Sequence, residues 1–165
     1  MKVLTIVDLQ EEFDAFENKA RVLSYVIDLV RNGVYDFIIN LSYSGGQFGH
    51  DRPTPTIKKL KRVLDKKNNV IHATKDEDDG SWNIMRSLKF SGKKFSKKDL
   101  EVDLVGVNLP FCVTSTAEGL LRNGLKPKNI HVHMRGCSMQ KIKRSAEEKV
   151  RVIKWMKSAS LKLVK

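Results

Sequence analysis

The stretch VDLVGVNLPFCVTSTAEGLLRNG, residues 102–124, places a strand, a bend and a helix in direct succession. Val102–Val107 is mostly apolar and has the length of a buried strand. Residues 108–112 form a bend that contains a proline, and Val113–Arg122 shows helical apolar spacing that ends at Asn123-Gly124. A strand that leads directly into a helix indicates one α/β unit of a parallel sheet.

The same alternation of apolar runs and amphipathic stretches extends in both directions along the chain. The other predicted strands are Val3–Val7, Tyr35–Leu41, Val70–Thr74 and Ile130–Met134. The other predicted helices are Glu17–Arg31, Thr56–Lys67, a helix from Ser81 through Leu88, and Ser145–Ser158. We therefore predict a three-layer α/β/α fold with a doubly wound, mainly parallel sheet of five or six strands. A chain of 165 residues suits a single domain, residues 1–165.

Composition argues for a globular protein rather than a membrane or disulfide-stabilised one. The hydrophobic fraction is 41% and the charged fraction 30%. No apolar run approaches the roughly 18 residues of a membrane span, so no membrane partner is expected. The two cysteines, without a secretory signal or CxxC spacing, indicate a reducing, cytoplasmic compartment.

Positive charge is concentrated at the C-terminal end of the chain. Residues 126–165 contain 12 Lys/Arg and two acids, which gives +10 of the total net charge of +12. One interpretation is a surface for nucleic acid or an acidic partner. The other, slightly favoured, is a solvated Lys-rich helix face, because aromatic residues are not interleaved with the basic ones as single-strand binding requires.

Chemically capable residues follow three of the predicted strands. In open α/β sheets, ligands bind beyond the carboxyl ends of the strands. Strand one ends at Asp8, strand three at Lys75, and strand four leads to Cys112 at the start of a helix. Considered one at a time, Asp8 suits a carboxylate that caps a loop, Lys75 suits an exposed cation, and Cys112 suits a small buried hydrophobic residue. Their shared sheet edge favours a site in which a helix N-terminus lowers the pKa of the Cys112 thiol and Asp8 moves its proton.

Three segments resemble the isochorismatase-like cysteine hydrolases, a family that includes the nicotinamidases. Residues 7–13, VDLQEEF, resemble the opening D-x-Q-x-x-F of the family. Residues 72–75, HATK, resemble its strand that ends in a lysine. Residues 106–117, GVNLPFCVTSTA, resemble G-V-x-x-x-x-C-V-x-x-T-A and are the most specific of the three.

The resemblance implies a catalytic triad of Asp8, Lys75 and Cys112, with a covalent thioester-type intermediate for an amide substrate. It implies a non-proline cis peptide at Val107–Asn108 and an oxyanion hole formed by the backbone N–H groups of Asn108 and Cys112. It also implies a homo-oligomer, a dimer or higher, that needs no dissociable cofactor.

The chain departs from the nicotinamidases after strand two. Those enzymes have an Asp-x-His and a further His that bind a divalent metal, whereas residues 42–51 offer His50 and Asp51 without that spacing. We therefore predict no metal site. Leu109 replaces a common threonine of the family, and Arg135 stands where an acid is frequent.

Several neighbouring residues are candidates for the substrate pocket. Phe13, Trp82 and Leu109 would flank the triad, although core packing is the favoured role for Phe13 and an equal alternative for Trp82. The segment Gly45–Gly49 is a lid, an anion-binding loop or a plain surface loop, the last being favoured.

Two functional hypotheses follow. The first is a hydrolase of a small amide, ureide or vinyl-ether substrate. The second is a catalytically degenerate scaffold that binds nucleic acid or an acidic partner through its basic C-terminal third.

Overall fold

The structure is a computed structural model that describes residues 1–13, 15–44, 53–139 and 145–165. Those residues form six strands and five α-helices. The strands are β1 (Lys2–Val7), β2 (Phe37–Tyr43), β3 (Val70–Lys75), β4 (Glu101–Gly106), β5 (Ile130–Cys137) and β6 (Lys162–Val164). The helices are α1 (Lys19–Asn32), α2 (Lys58–Leu64), α3 (Ser81–Phe90), α4 (Thr114–Arg122) and α5 (Ser145–Ser158).

The strands form one parallel sheet in the order β3-β2-β1-β4-β5-β6. After β1, the chain adds β2 and then β3 on one side of it. It then crosses back to place β4 on the other side of β1 and adds β5 and β6 beyond β4. This confirms the predicted doubly wound α/β/α fold, with six strands. The carboxyl ends of β1 and β4 are adjacent where the winding reverses, which is the position where open α/β sheets bind ligands.

Helices cover both faces of the sheet, so the apolar residues of the central strands are buried on both sides. Val3 and Val7 of β1 pack in one cluster, and Leu4 and Ile6 pack in the other. The first cluster includes Ile84 of α3, Leu120 of α4 and Met156 of α5, and the second includes Val26 of α1 and Leu60 of α2. No helix in the described ranges is long and apolar enough to cross a membrane.

Gly106 brings the ends of β1 and β4 together. Its φ is +132°, and a Cβ at this position would lie 2.0 Å from the carbonyl oxygen of Val7. Only glycine fits this close approach. The peptide bond that follows, Val107–Asn108, is cis, as the family resemblance implied. A π-helical turn, Leu109–Val113, then leads into α4.

Asp103 of β4 is the centre of a buried polar network under α1. Its side chain is 1% exposed and accepts a hydrogen bond of 2.9 Å from the Tyr35 hydroxyl. It also lies 2.7 Å from Nδ1 of His131 and 3.1 Å from Nε2 of His133. Burial alone would raise the pKa of Asp103, but the hydrogen bonds from these partners outweigh it and hold that pKa well below its usual range.

We expect Asp103→Asn to lower the free energy of unfolding at pH 7 by about 2 kcal/mol, because it removes an ionised acceptor from buried donors. Since the folded pKa is depressed, this stabilisation is present above the unfolded pKa and is lost as pH falls through and below about 4. Urea unfolding at several pH values should therefore show the two proteins converging in acid. Glu101→Gln, an exposed carboxylate on the same strand, is the matched control. An equal loss in both variants would contradict this account.

Candidate active site

Asp8 and Lys75 form a buried ion pair at the carboxyl edge of the sheet. Asp8 directly follows β1 and Lys75 ends β3, with β2 between them. The Lys75 side chain therefore crosses the end of β2, and its Nζ lies 2.8 Å from Oδ2 of Asp8. Both side chains are almost completely buried. A buried charge persists only when it is paired, so each residue requires the other.

The backbone at Asp8 has an uncommon conformation for a residue with a side chain. Its φ is +51°, and its N–H donates to the carbonyl oxygen of Leu41 at 3.1 Å. Non-glycine residues in this region are uncommon and concentrate at functional sites, so the conformation supports a functional role for Asp8.

Lys75 is held by two further groups. Its Nζ donates to the carbonyl oxygen of Glu77 at 3.0 Å and lies 4.7 Å from the ring centroid of Tyr43. The Tyr43 ring in turn contacts Phe13 edge to face, with the centroids 6.1 Å apart. Tyr43 was not predicted as a site residue. Its signal in the sequence was its position at the end of β2, between the strands that carry Asp8 and Lys75.

Cys112 joins this pair from the π-helical turn. Its thiol is partly buried and donates to Oδ1 of Asp78 at 3.3 Å. It also interacts with the Asp8 carboxylate, since each of these two side chains shifts the pKa of the other. The structure thus brings Asp8, Lys75 and Cys112 together at one sheet edge, and the sulfur is not sealed in the core.

The protonation states differ from those expected from the sequence. Burial raises the pKa of the Cys112 thiol, and the nearby Asp8 carboxylate raises it further. The expectation that the helix N-terminus lowers the pKa of this thiol was therefore wrong, because burial and the two nearby carboxylates outweigh that effect. Burial also raises the pKa of Asp8 to about 6, although Lys75 opposes the shift. At neutral pH the site accordingly holds a neutral thiol beside an ionised carboxylate.

The loop of residues 76–80 places Asp78 next to the thiol. Its C-terminal part is fastened to α4, because Arg122 pairs with Asp79 at 2.8 Å and the Gly80 N–H donates to Oγ1 of Thr116 at 3.0 Å. Gly119 permits this packing, since a Cβ there would lie 2.2 Å from the Asp79 carboxylate. Asp78 was not predicted as a site residue. The signal was the run of four acids, residues 76–79, directly after Lys75.

Of the two residues predicted to form the oxyanion hole, Asn108 directly precedes the π-helical turn and Cys112 lies within it. Asn108 is extended, with φ −95° and ψ 128°, and its carbonyl oxygen accepts the N–H groups of Phe111 and Val113, both at 3.1 Å. The use of the Asn108 and Cys112 N–H groups as oxyanion donors stays a prediction.

The three pocket candidates occupy different environments. Phe13 contacts Tyr43 beside Lys75, which is compatible with a pocket wall. Leu109 is 1% exposed and packs in the core, which favours a structural role over a pocket role. Trp82 is 60% exposed on α3, with the Arg86 guanidinium carbon 4.9 Å from its ring centroid. This position favours a surface role for Trp82, and its pocket role stays a prediction.

His50, Asp51 and the Gly45–Gly49 segment lie outside the described residues. Among the residues that the structure describes, no group of three or more His, Cys, Asp or Glu side chains could hold a metal ion. Cys137 is buried, which raises the pKa of its thiol to about 12. The guanidinium of Arg135 lies over the ring of Tyr25.

Solved structures resemble the whole chain. The nicotinamidase of Staphylococcus aureus matches with a TM-score of 0.75 and 18% identity, over 99% of this chain and 97% of that one. The MAR1 ribonuclease of Caenorhabditis elegans matches with a TM-score of 0.68 and 21% identity, over 99% and 76%. The N-carbamoylsarcosine amidase of Thermoplasma acidophilum matches with a TM-score of 0.65 and 15% identity, over 99% and 95%.

No protein-family model matches the chain, and no curated protein sequence matches it. The structural likeness extends over nearly the full length of the nicotinamidase. The chain therefore has the isochorismatase-like α/β fold.

We expect Asp78→Asn to speed the alkylation of Cys112 by iodoacetamide at pH 8, by about two- to fivefold. Asp78 raises the pKa of the thiol, so removing its charge increases the thiolate fraction, and the effect is modest because Asp78 is exposed. Asp76→Asn, an exposed acid of the same loop, should leave the rate unchanged. Mass mapping separates Cys112 from Cys137. A rate that is equal or slower in Asp78→Asn would exclude this electrostatic coupling.

Proposed function

We propose that this protein is a member of the isochorismatase-like hydrolases and uses Cys112 to hydrolyse a small amide or ureide. The convergence of a thiol, a buried carboxylate and a buried ammonium is the observation that carries the proposal. A thiol nucleophile suits a carbonyl carbon, which favours amides and ureides over the vinyl ethers also considered from the sequence. The structural neighbours are named for hydrolysis of different bonds, so the fold alone does not select the substrate.

In the first half of the reaction, Sγ of Cys112 attacks the carbonyl carbon while its proton passes to the Asp8 carboxylate. Because the thiol is neutral at pH 7, the proton transfer must accompany the attack. The tetrahedral intermediate then loses its amine, which takes the proton from Asp8. This step leaves a thioester on Cys112 and an ionised Asp8.

In the second half, water replaces the amine. Asp8 accepts a proton from the attacking water, the C–S bond breaks and the carboxylic acid leaves. Asp8 then returns its proton to the Cys112 sulfur, so the site is restored with no net change. The N–H groups of Asn108 and Cys112 are proposed to hold the oxyanion in both halves.

Lys75 keeps Asp8 competent as a base. Burial alone would raise the pKa of Asp8 further, and the ammonium 2.8 Å away opposes this. In the proposal, the positive charge of Lys75 also opposes the negative charge that develops on the attacked carbonyl. Tyr43 and Phe13 would then form an aromatic wall for a planar substrate.

We infer that residues 1–165 form one domain. A homo-oligomer, a cytoplasmic location and the lack of a dissociable cofactor stay predictions from the sequence.

A screen of primary amides and ureides for ammonia release should find turnover by the unmodified protein. Cys112→Ala should lower that turnover by about three orders of magnitude or more, because the nucleophile is lost. Acid quenching during turnover should trap an acyl group on Cys112, detected by intact mass. Cys137→Ala removes the other, buried thiol and should keep activity. Equal turnover by Cys112→Ala and the unmodified protein would disprove the nucleophile assignment.

The pH dependence of kcat/KM should have an acid limb with a midpoint near pH 6. Below that pH Asp8 is protonated and cannot accept the thiol proton, since its pKa is raised to about 6. We expect kcat/KM to fall about tenfold per pH unit below the midpoint, because one proton is bound. Asp76→Asn should keep this limb, whereas Asp8→Asn should lose turnover at every pH. A midpoint near 4, typical of an exposed Asp, would argue against Asp8 as the base.

A further inference from the structure

Two large aromatic side chains stand exposed on one face of α3. Trp82 is 60% exposed and Phe90 is 75% exposed. Arg86 lies between them, with its guanidinium carbon 4.9 Å from the Trp82 ring centroid and 5.7 Å from that of Phe90. The spacing of four residues places all three side chains on one side of the helix. The opposite side, with Ile84 and Leu88, is buried in the core.

The same segment is strongly basic. Residues 81–98 contain six Lys/Arg and neither Asp nor Glu. Two of the six are engaged within the protein, since Lys93 pairs with Asp36 and Lys97 donates to the carbonyl oxygen of Asn123. Lys89 is exposed and lies three residues after Arg86, which puts it on the same side of α3 as the aromatic rings. Here, unlike in the C-terminal third, aromatic and basic side chains are interleaved.

A groove runs alongside this row. It has a volume of about 410 Å³ and lies between α3 and β3, the edge strand of the sheet. Ile71 and Ala73 of β3 form its apolar floor, and Arg86 and Phe90 form part of its other wall. The groove therefore offers an apolar surface for a flat ring beside a cation for an anionic group.

We propose that the α3 surface, formed by Trp82, Arg86, Lys89 and Phe90 with the adjoining groove, binds single-stranded nucleic acid. Bases would stack on the exposed faces of Trp82 and Phe90, because base–aromatic stacking tolerates any sequence. Phosphates would pair with Arg86 and Lys89. The acidic residues 76–79 precede α3, so the phosphate backbone would run from Trp82 toward the C-terminal end of the helix.

Charge favours a polyanion over a second copy of the chain on this surface. A twofold-symmetric dimer would place each α3 surface against its own copy. Arg86 and Lys89 would then face the same two cations across the interface, with no acid in residues 81–98 to neutralise them. Nucleic acid supplies the opposite charge and the planar rings together.

Binding is tested by the fluorescence anisotropy of a labelled oligouridylate about 12 nucleotides long, a length within the site sizes of single-strand binders. Trp82→Ala/Phe90→Ala should weaken binding by about tenfold or more, because two stacking platforms are lost. Trp82→Phe should restore most of the affinity lost in Trp82→Ala. Arg86→Glu/Lys89→Glu should lower the slope of log K against log salt by about 1.4, which corresponds to two phosphate contacts. Circular dichroism verifies that each variant is folded.

Lys154→Glu/Lys157→Glu makes the same charge change, with the same spacing, on the exposed side of α5 and should change binding little. Cys112→Ala should bind as tightly as the unmodified protein, which separates this surface from the proposed hydrolase site. The proposal is overturned if the α5 pair weakens binding as much as the α3 pair, or if Trp82→Ala/Phe90→Ala binds normally. It is also overturned if polyglutamate competes as well as the oligonucleotide, or if the α3 variants abolish only self-association.

Discussion

The buried ion pair between Lys75 and Asp8 is the constraint on which the site depends. Two charges taken out of water destabilise a fold unless they face each other, and here Nζ and Oδ2 are 2.8 Å apart. The pair spans β3 and β1, so its geometry requires β2 to lie between them in register. Tyr43, at the end of β2, fills the gap and places its ring beside the ammonium. The ion pair therefore depends both on the strand order of the sheet and on the burial of the two side chains together.

The ion pair also affects the protonation states of Asp8 and Cys112. Asp8 has a pKa of about 6, while burial and the carboxylates keep Cys112 protonated. A thiol without a base would be inert, and a thiolate in this setting would oppose two negative charges. At neutral pH the Cys112 thiol is therefore protonated and the Asp8 carboxylate is ionised. In the proposed reaction the sulfur becomes nucleophilic only as its proton moves to Asp8, and a resting thiol that stays protonated reacts slowly with oxidants and alkylating agents.

Much of this arrangement could be predicted from the sequence, because it follows from local pattern. Five strands and all five helices have period and length signals, and the residues after β1, β3 and β4 must meet at one edge. β6 has only three residues, Lys162–Val164, too few to show a period. Asp78 lies beside the thiol because the loop of residues 76–80 is fastened to α4, a long-range contact that carries no periodic signal. The raised pKa of the thiol depends first on burial, which is likewise set by the tertiary fold. The charge composition likewise indicated the basic C-terminal third as a binding surface, whereas the exposed aromatic side chains Trp82 and Phe90 lie on α3.

The acidic loop and the basic α3 surface are consecutive in the chain, and this order would separate the two proposed functions. Residues 76–79 are four acids, of which Asp78 contacts Cys112, whereas residues 81–98 contain six basic residues and no acid. Ser81, whose N–H is capped by Asp79, marks the boundary at the first residue of α3. An anion drawn to α3 is repelled from the thiol, so a polyanion on that surface would not block a neutral substrate from Cys112. In the two proposals, the first residue of α3 contacts the acidic loop of the hydrolase site, and the exposed side of the same helix binds a different class of molecule.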